Sequence, residues 1–181
     1  MTSTNMFALT GCSSSGKSTL LEALETRGVV CVPEAGRQVV REEQASGGDG
    51  LPWVNLERFR DLIFEKSIAA FHAHAAYEGP VIFDRSFIEV VACSAGLGVE
   101  PPAVHLQAAQ DLRFNRVVFV TPSWHEIFAN DAERQTTFER ACAEYEETNR
   151  LYESFGYTLL EVPRTSLEER VKFVQGRIQT C

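Results

Sequence analysis

Short apolar runs alternate with amphipathic stretches along the whole chain. The runs have the length and composition of strands buried in a parallel sheet, and the stretches between them show the apolar spacing of helices. Strand and helix therefore alternate, which predicts a three-layer α/β/α fold with a five-stranded parallel sheet in the middle. The predicted strands are residues 6–10, 29–32, 80–86, 116–120 and 157–162.

Helices are predicted in the intervals between these strands and after the last one. The closing helix has a clear start, since Ser166 and Glu169 have the spacing of a capping box. The glycine-rich residues 46–50 read as a flexible joint within a helical insertion at about 38–78. The other helices are expected around residues 20–24, 36–45, 56–77, 87–96, 101–112 and 138–155.

Residues 11–19 read GCSSSGKST and match the pattern G-x-x-x-x-G-K-[ST] at every fixed position. The pattern stands between an apolar strand and an amphipathic helix, which is the context that gives it meaning. Gly11 and Gly16 permit backbone conformations in which successive N–H groups surround an anion, and the following helix points its positive end at the same place. The sequence therefore predicts a phosphate-binding loop for a nucleoside triphosphate.

The side chains of this loop have expected roles. Lys17 would reach the β- and γ-phosphates, and the Ser18 hydroxyl would bind Mg²⁺. We therefore expect ATP and Mg²⁺ as ligands, with the choice between ATP and GTP left open by the loop. The residues expected to contact the nucleotide are Gly11, Ser13, Ser14, Ser15, Gly16, Lys17, Ser18 and Thr19.

Composition narrows the class of protein. The chain of 181 residues is sized for one domain, and its net charge of −8 argues against non-specific nucleic-acid binding. The apolar runs are all shorter than the ~18 residues of a membrane-spanning helix. From the net charge and from these run lengths, we expect neither nucleic acid nor a membrane as a partner. Five cysteines without C-x-x-C spacing indicate a reducing cytoplasm. We expect a monomer or a homodimer.

The end of the third strand separates classes of nucleotide-binding protein. No N-K-x-D string, which marks guanine-specific GTPases, occurs in the chain. Mechanical ATPases usually end the third strand in Asp-Glu, whose Glu polarises a water for hydrolysis, whereas this strand ends in Asp84-Arg85-Ser86. A cation in place of the water-activating Glu favours transfer of phosphate to an acceptor rather than to water.

Four polar residues follow the second and third strands, at the edge where ligands bind in open α/β sheets. Glu34 is the candidate base for an acceptor hydroxyl and Asp84 the candidate Mg²⁺ ligand, although these two roles are interchangeable. Arg85 and Arg37 would hold anionic groups of the substrates. Alternatively, Arg85 would form an ion pair with Glu34 or Glu89, and Arg37 would be a charge on a helix surface. Trp53 would stack on an acceptor ring, unless it belongs to the core.

A polar connection at about 123–137 is predicted to be a lid. Arg134 lies in it and would stabilise charge on the γ-phosphate as an arginine finger in cis. The alternative is a solvated charge neutralised by Asp131 and Glu133.

Several segments carry a resemblance to known proteins. They resemble the P-loop kinase group, and most closely the predicted-ATPase family of the AAA_28 type; they are also similar to ribosylnicotinamide kinases and to thymidylate and deoxynucleoside kinases. The resemblance implies a nucleotide-kinase-like P-loop NTPase fold and a position for Arg164 against the adenine ring. The segments are residues 11–19, 32–37, 83–86, 131–134 and 162–163.

Two functions follow from this sequence. The first is Mg²⁺-dependent transfer of the γ-phosphoryl group of ATP to a nucleoside, a nucleotide or a related metabolite. The second is a regulatory ATP-binding switch that hydrolyses ATP slowly and acts on a protein partner. A kinase requires an acceptor pocket between residues 37–60 and Arg85, and a switch does not.

Overall fold

The computed structural model describes residues 5–96, 98–129 and 136–179. Its sheet has five parallel strands in the order β2-β3-β1-β4-β5, so the prediction of a five-stranded parallel sheet between helices is confirmed. The strands are β1 (Met6–Gly11), β2 (Val30–Val32), β3 (Val81–Asp84), β4 (Val117–Thr121) and β5 (Thr158–Glu161).

The helices occupy the predicted intervals. The helix after the Gly-rich joint ends at His74, before the predicted Tyr77, and it begins where the Asn55 side chain accepts a hydrogen bond from the backbone N–H of Arg58. The helices are α1 (Lys17–Glu25), α2 (Ala35–Ser46), α3 (Leu56–His74), α4 (Phe87–Gly96), α5 (Ala103–Asp111), α6 (Phe138–Ser154) and α7 (Leu167–Ile178). Within the described ranges, no helix is both long and apolar enough to cross a membrane.

Two apolar cores lie on opposite faces of the sheet. The central strand β1 is buried along its whole length, and its successive side chains enter the two cores alternately. Phe7 and Leu9 pack with residues of α1 and α7, whereas Met6 and Ala8 pack with residues of α3, α4 and α6. This division fixes α7 on the same face as the helix that follows the phosphate-binding loop.

The outermost strands differ from the sequence prediction. β2 was predicted to be buried, and this is wrong, since only Val32 of this strand is fully buried. β5 is also partly exposed, at Thr158 and Glu161. The reason is that these two strands form the edges of the sheet, with a neighbour on one side only. An apolar run in the sequence indicates that a strand contributes to the core, but it does not indicate where that strand lies in the sheet.

The carboxyl ends of the strands gather the polar residues at one edge of the sheet. β1 has its sheet neighbours β3 and β4 on opposite sides, and the chain connects to them in opposite directions across the sheet. Such a switch point opens a crevice at the carboxyl ends of the strands. Gly11, Glu34 and Asp84 all lie at this edge, after β1, β2 and β3.

We predict that Gly11→Ala destabilises the fold far more than Gly28→Ala. Both glycines have positive φ values, of +136° and +81°, but a Cβ at Gly11 would lie 2.2 Å from the carbonyl oxygen of Thr121, while a Cβ at Gly28 would meet nothing within 4 Å. The expected loss in the free energy of unfolding is about 2–5 kcal/mol for Gly11→Ala and about 1 kcal/mol for Gly28→Ala. Urea denaturation measures both, and equal losses would contradict the steric argument.

Candidate active site

The loop after β1 is fastened to the end of β4. The backbone N–H of Cys12 donates to the carbonyl oxygen of Thr121 at 3.0 Å, and the Ser15 and Thr121 hydroxyl oxygens are 2.6 Å apart. The Ser15 hydroxyl also donates to the carbonyl oxygen of Cys12. Ser14 and Gly16 have positive φ values of 57° and 77°, so the backbone coils tightly before α1 begins.

Lys17 and the start of α1 give the loop its positive character. The Lys17 side chain is buried, and its Nζ donates to the carbonyl oxygens of Gly11 and Cys12 at 3.2 and 2.8 Å. Gly16 is the N-cap of α1 and supplies no side-chain cap, while Ser18 and Thr19 lie exposed in the first turn. A helix start with uncapped N–H groups beside a lysine is suited to bind phosphate.

Asp84 ends β3 directly beside β1, in register with Leu9. It is buried, and its Oδ1 has no hydrogen-bond partner among the residues that the structure describes. Burial first, and the charge of Glu34 second, raise the pKa of Asp84 to about 6, against the opposing effect of Lys17 and Arg85. A buried carboxylate oxygen that lacks a partner is suited to bind a cation.

The oxygen donors beside the loop fit Mg²⁺. Asp84 and the Ser18 hydroxyl are hard oxygen ligands, which Mg²⁺ prefers. No group of three or more His, Cys, Asp or Glu side chains in the described part of the chain could hold a metal. Mg²⁺ is usually bound by one or two protein ligands together with substrate phosphates and waters, and Asp84 and Ser18 could be two such ligands.

Arg85 stands at the centre of a network of charges. It has a positive φ of 67°, a strained conformation for a residue with a side chain, which is found mostly at functional sites. Its Nη1 donates to Glu89 Oε2 at 2.5 Å, and its Nε lies 3.5 Å from Glu34 Oε1. Glu34 also pairs with Arg37, at 3.5 Å. Burial lowers the pKa of Arg85, but Glu89, Glu34 and Asp84 together raise it above its ordinary value.

The buried hydroxyl group of Tyr152 holds Glu89 in place and is itself in contact with the Ser86 hydroxyl. Tyr152 of α6 is fully buried, and its hydroxyl donates to Glu89 Oε1 at 2.9 Å while lying 2.8 Å from the Ser86 hydroxyl oxygen. Both oxygens of Glu89 therefore have a partner, one of which is Arg85. The network extends from the core to the cleft and fixes the Arg85 side chain.

A cleft of about 900 Å³ connects the phosphate-binding loop with the α2–α3 region. Gly11, Cys12 and Ser13 line one end, and Trp53 and Phe59 line the other, with Trp53 60% exposed. The charged residues that line it are Glu34, Arg37, Asp84, Arg85, Glu89, Arg140, Glu144 and Glu147.

Comparison with known proteins gives the chain a family. The sequence model of the AAA domain family AAA_28 matches residues 6–170. The chain belongs to this family.

The structure of deoxyadenosine kinase from M.mycoides with bound dATP is similar to this AAA_28 chain, with a TM-score of 0.61 over 96% of this chain and 98% of that chain. The identity is 14%, so the likeness shows the fold, that of a P-loop kinase-like NTPase. No curated protein matches the sequence.

The structure of the AAA_28 chain brings most of the predicted site residues to one crevice. Glu34, Arg37, Asp84 and Arg85 contact one another or line the cleft beside the loop. Trp53 is at the cleft and not in the core, which was the alternative for it.

Two predicted residues remain apart from this group. Arg164 is exposed in the connection between β5 and α7 and is not among the residues that line the cleft. Its contact with adenine therefore stays a prediction. Arg134 lies outside the described residues, as do all of residues 130–135 of the predicted lid. The rest of that segment, residues 123–129 and 136–137, is described, and Thr136 and Thr137 lie at the cleft.

Sequence reasoning missed three residues of the site. It treated Glu89 only as an alternative ion-pair partner of Arg85, and it gave no role to Tyr152 or to Arg170, which contacts the phosphate-binding loop from α7. A signal existed for Arg170, since it is four and eight residues from Val174 and Ile178 on the apolar face of α7. A charged residue in an apolar row indicates a buried partner.

We predict that Asp84→Asn stabilises the ligand-free protein at pH 8 but not at pH 4. The folded protein binds the proton of Asp84 more tightly than the unfolded chain, so ionisation destabilises the fold as the pH rises from about 4 to about 6. Asparagine removes this penalty, and the free energy of unfolding at pH 8 should rise by about 2–3 kcal/mol at most.

Denaturation with urea across this pH range, without Mg²⁺ or nucleotide, measures the difference. Asp111→Asn provides the same chemical change at an exposed position of α5. A stability gain for Asp84→Asn that is equal at pH 4 and pH 8 would contradict the raised pKa.

Proposed function

We propose that this protein transfers the γ-phosphoryl group of ATP, with Mg²⁺, to a hydroxyl group of a small-molecule acceptor. Its family and its P-loop fold support nucleotide binding. The observation that supports transfer to an acceptor is the cleft, which continues from the phosphate-binding loop past Asp84 and Arg85 to Trp53 and Phe59. A site for ATP hydrolysis alone has no need of this second end.

The loop supplies the ATP side of the proposed reaction. The N–H groups of the loop and of α1, together with Lys17, would bind the β- and γ-phosphates. Ser18 and Asp84 would hold Mg²⁺, which when bound supplies charge neutralisation for the same phosphates. Arg134 remains our candidate for the charge that develops on the γ-phosphate.

The strand order supports Glu34 as the base and Asp84 as the metal ligand. Asp84 ends β3, the strand next to β1, whereas Glu34 follows β2, one strand farther from the phosphate-binding loop. Glu34 is therefore nearer the α2–α3 end of the cleft, where an acceptor would lie. Its carboxylate, between Arg37 and Arg85, would take the proton from the acceptor hydroxyl as that oxygen attacks the γ-phosphorus.

The charges of the cleft favour an uncharged acceptor. Arg37 and Arg85, the cations on this side, already pair with Glu34 and Glu89. On the α6 wall, Arg140 pairs with Glu144 at 3.0 Å, and Glu147 adds a negative charge that would repel a phosphate group on the acceptor.

Aromatic rings complete the acceptor end, where Trp53 and Phe59 offer surfaces for a flat base. We therefore propose a nucleoside rather than a nucleotide as the acceptor. The deoxyadenosine kinase named above acts on a compound of this class.

We predict that one nucleoside raises ADP release from ATP·Mg²⁺ by about tenfold or more, because a bound hydroxyl attacks far more effectively than water. The matching nucleoside monophosphate should stimulate much less. A coupled assay of ADP release over a panel of nucleosides and their monophosphates measures this. Lys17→Ala controls for contaminating activity, since it should lose nucleotide affinity and turnover together. ATP turnover that no small molecule stimulates, but that a protein partner does, would support the regulatory switch instead.

We predict that Glu34→Gln slows transfer by about 100-fold or more while leaving the affinity for ATP within about twofold, because it removes a general base and not a phosphate contact. Turnover with the identified acceptor and calorimetry with ATP measure the two effects. Glu42→Gln is the matched control. Glu42 lies on α2, the helix that Glu34 precedes, and this change breaks only an exposed ion pair with Lys66 of α3, away from the cleft. Normal turnover of Glu34→Gln would show that the base is another residue, with Asp84 the first candidate.

A further inference from the structure

Arg170 is a buried cation behind the phosphate-binding loop. It lies on α7, it is 5% exposed, and its Nη2 donates to the carbonyl oxygen of Ser15 at 3.1 Å. Its guanidinium carbon is 5.7 Å from the centre of the Trp124 ring. The side chain therefore reaches from the last helix to the middle of the loop.

The charge of Arg170 has no acid to balance it in the described part of the chain. Its Nε has no hydrogen-bond partner there, and no ion pair with Arg170 occurs among the same residues. Burial lowers the pKa of Arg170, with no nearby carboxylate to oppose the effect. A buried cation without an acid partner is unfavourable for folding, and a Met or Leu would continue the apolar row of Val174 and Ile178 without this penalty. Stability alone therefore does not explain an arginine here.

The geometry of the peptide bond explains what the contact does to the loop. The carbonyl group of Ser15 and the N–H group of Gly16 belong to one planar trans peptide, so they point in opposite directions. When Arg170 holds the Ser15 carbonyl on the α7 side, the Gly16 N–H is turned to the other side.

Gly16 leaves space for the Arg170 guanidinium beside the loop. Its φ is +77°, and a Cβ there would lie 2.8 Å from Arg170 Nη1. Glycine at this position therefore leaves room for the guanidinium as well as permitting the turn.

We propose that Arg170 is a positioning residue for the triphosphate: it orients the Ser15–Gly16 peptide so that its N–H faces the phosphates, and its unbalanced charge adds to the field that attracts them. The inference rests on the ATP binding of the proposed function. It assigns to α7 a part in the nucleotide site that the loop residues alone do not reveal. The negative charge of the bound triphosphate then balances this cation, which has no acid beside it among the described residues.

Calorimetry with ATP·Mg²⁺ on the full chain tests this without an acceptor. Arg170→Met should raise the dissociation constant for ATP by about tenfold or more, the effect expected for loss of a charged hydrogen bond. Arg170→Gln, which keeps an N–H donor but no charge, should fall between Met and the native protein. In turnover, the KM for ATP should rise while the KM for the acceptor stays unchanged.

A merely structural residue would behave differently in the same series. Arg170→Met without nucleotide should be as stable as the native protein or more stable, because it removes a buried charge that lacks a partner. Arg177→Met, on the same helix but exposed, is the matched control and should bind ATP normally. If Arg170→Met fails to fold, Arg170→Gln decides the question, and native affinity in that variant overturns the proposal.

The outcomes separate this inference from the proposed function. Native affinity for ATP in Arg170→Met overturns the role of Arg170 alone. ATP binding that depends on Arg170, in a protein that phosphorylates no small molecule, supports this inference and overturns the proposed function. A folded native protein that does not bind ATP overturns both.

Discussion

The contact between Gly11 and Thr121 determines how the chain leaves its central strand. No side chain fits at Gly11, so the backbone passes directly against the end of β4, where Cys12 and Ser15 bind to Thr121. This path places the start of α1 at the edge where the ends of β2 and β3 carry Glu34 and Asp84. With a bulkier residue at the end of β1, the loop would be displaced from β4 and the carboxylates would have no phosphate site to face.

The second determinant is the way in which the site distributes charge. Asp84 lacks a partner for one buried oxygen and has a raised pKa, whereas Glu34, Arg37, Arg85 and Glu89 satisfy one another. The carboxylate with an unbonded oxygen, Asp84, thus lies near the loop, and the ion-paired side chains extend toward α2. A charged ligand is favoured at the first place and an uncharged one at the second.

The parts of the structure that the sequence predicted are those encoded by neighbouring residues. The phosphate-binding loop is contiguous, the strands are short apolar runs, and Glu34 and Asp84 could be placed because parallel strands end at one edge. The exposure of β2 and β5 was not predictable, since the strand order arises from tertiary packing. The bonds from Tyr152 to Glu89 and from Arg170 to Ser15 span 63 and 155 residues, and no local pattern encodes the pairing of such distant residues.

That last bond has a consequence for how the protein is made. Ser15 leaves the ribosome long before Arg170, so a growing chain carries a complete phosphate-binding sequence without the helix that steadies it. β1 also forms its pairs with β3 and β4 only after these later segments of the chain have been synthesised. A nascent chain therefore lacks the native contact at the Ser15 carbonyl until α7 has been synthesised.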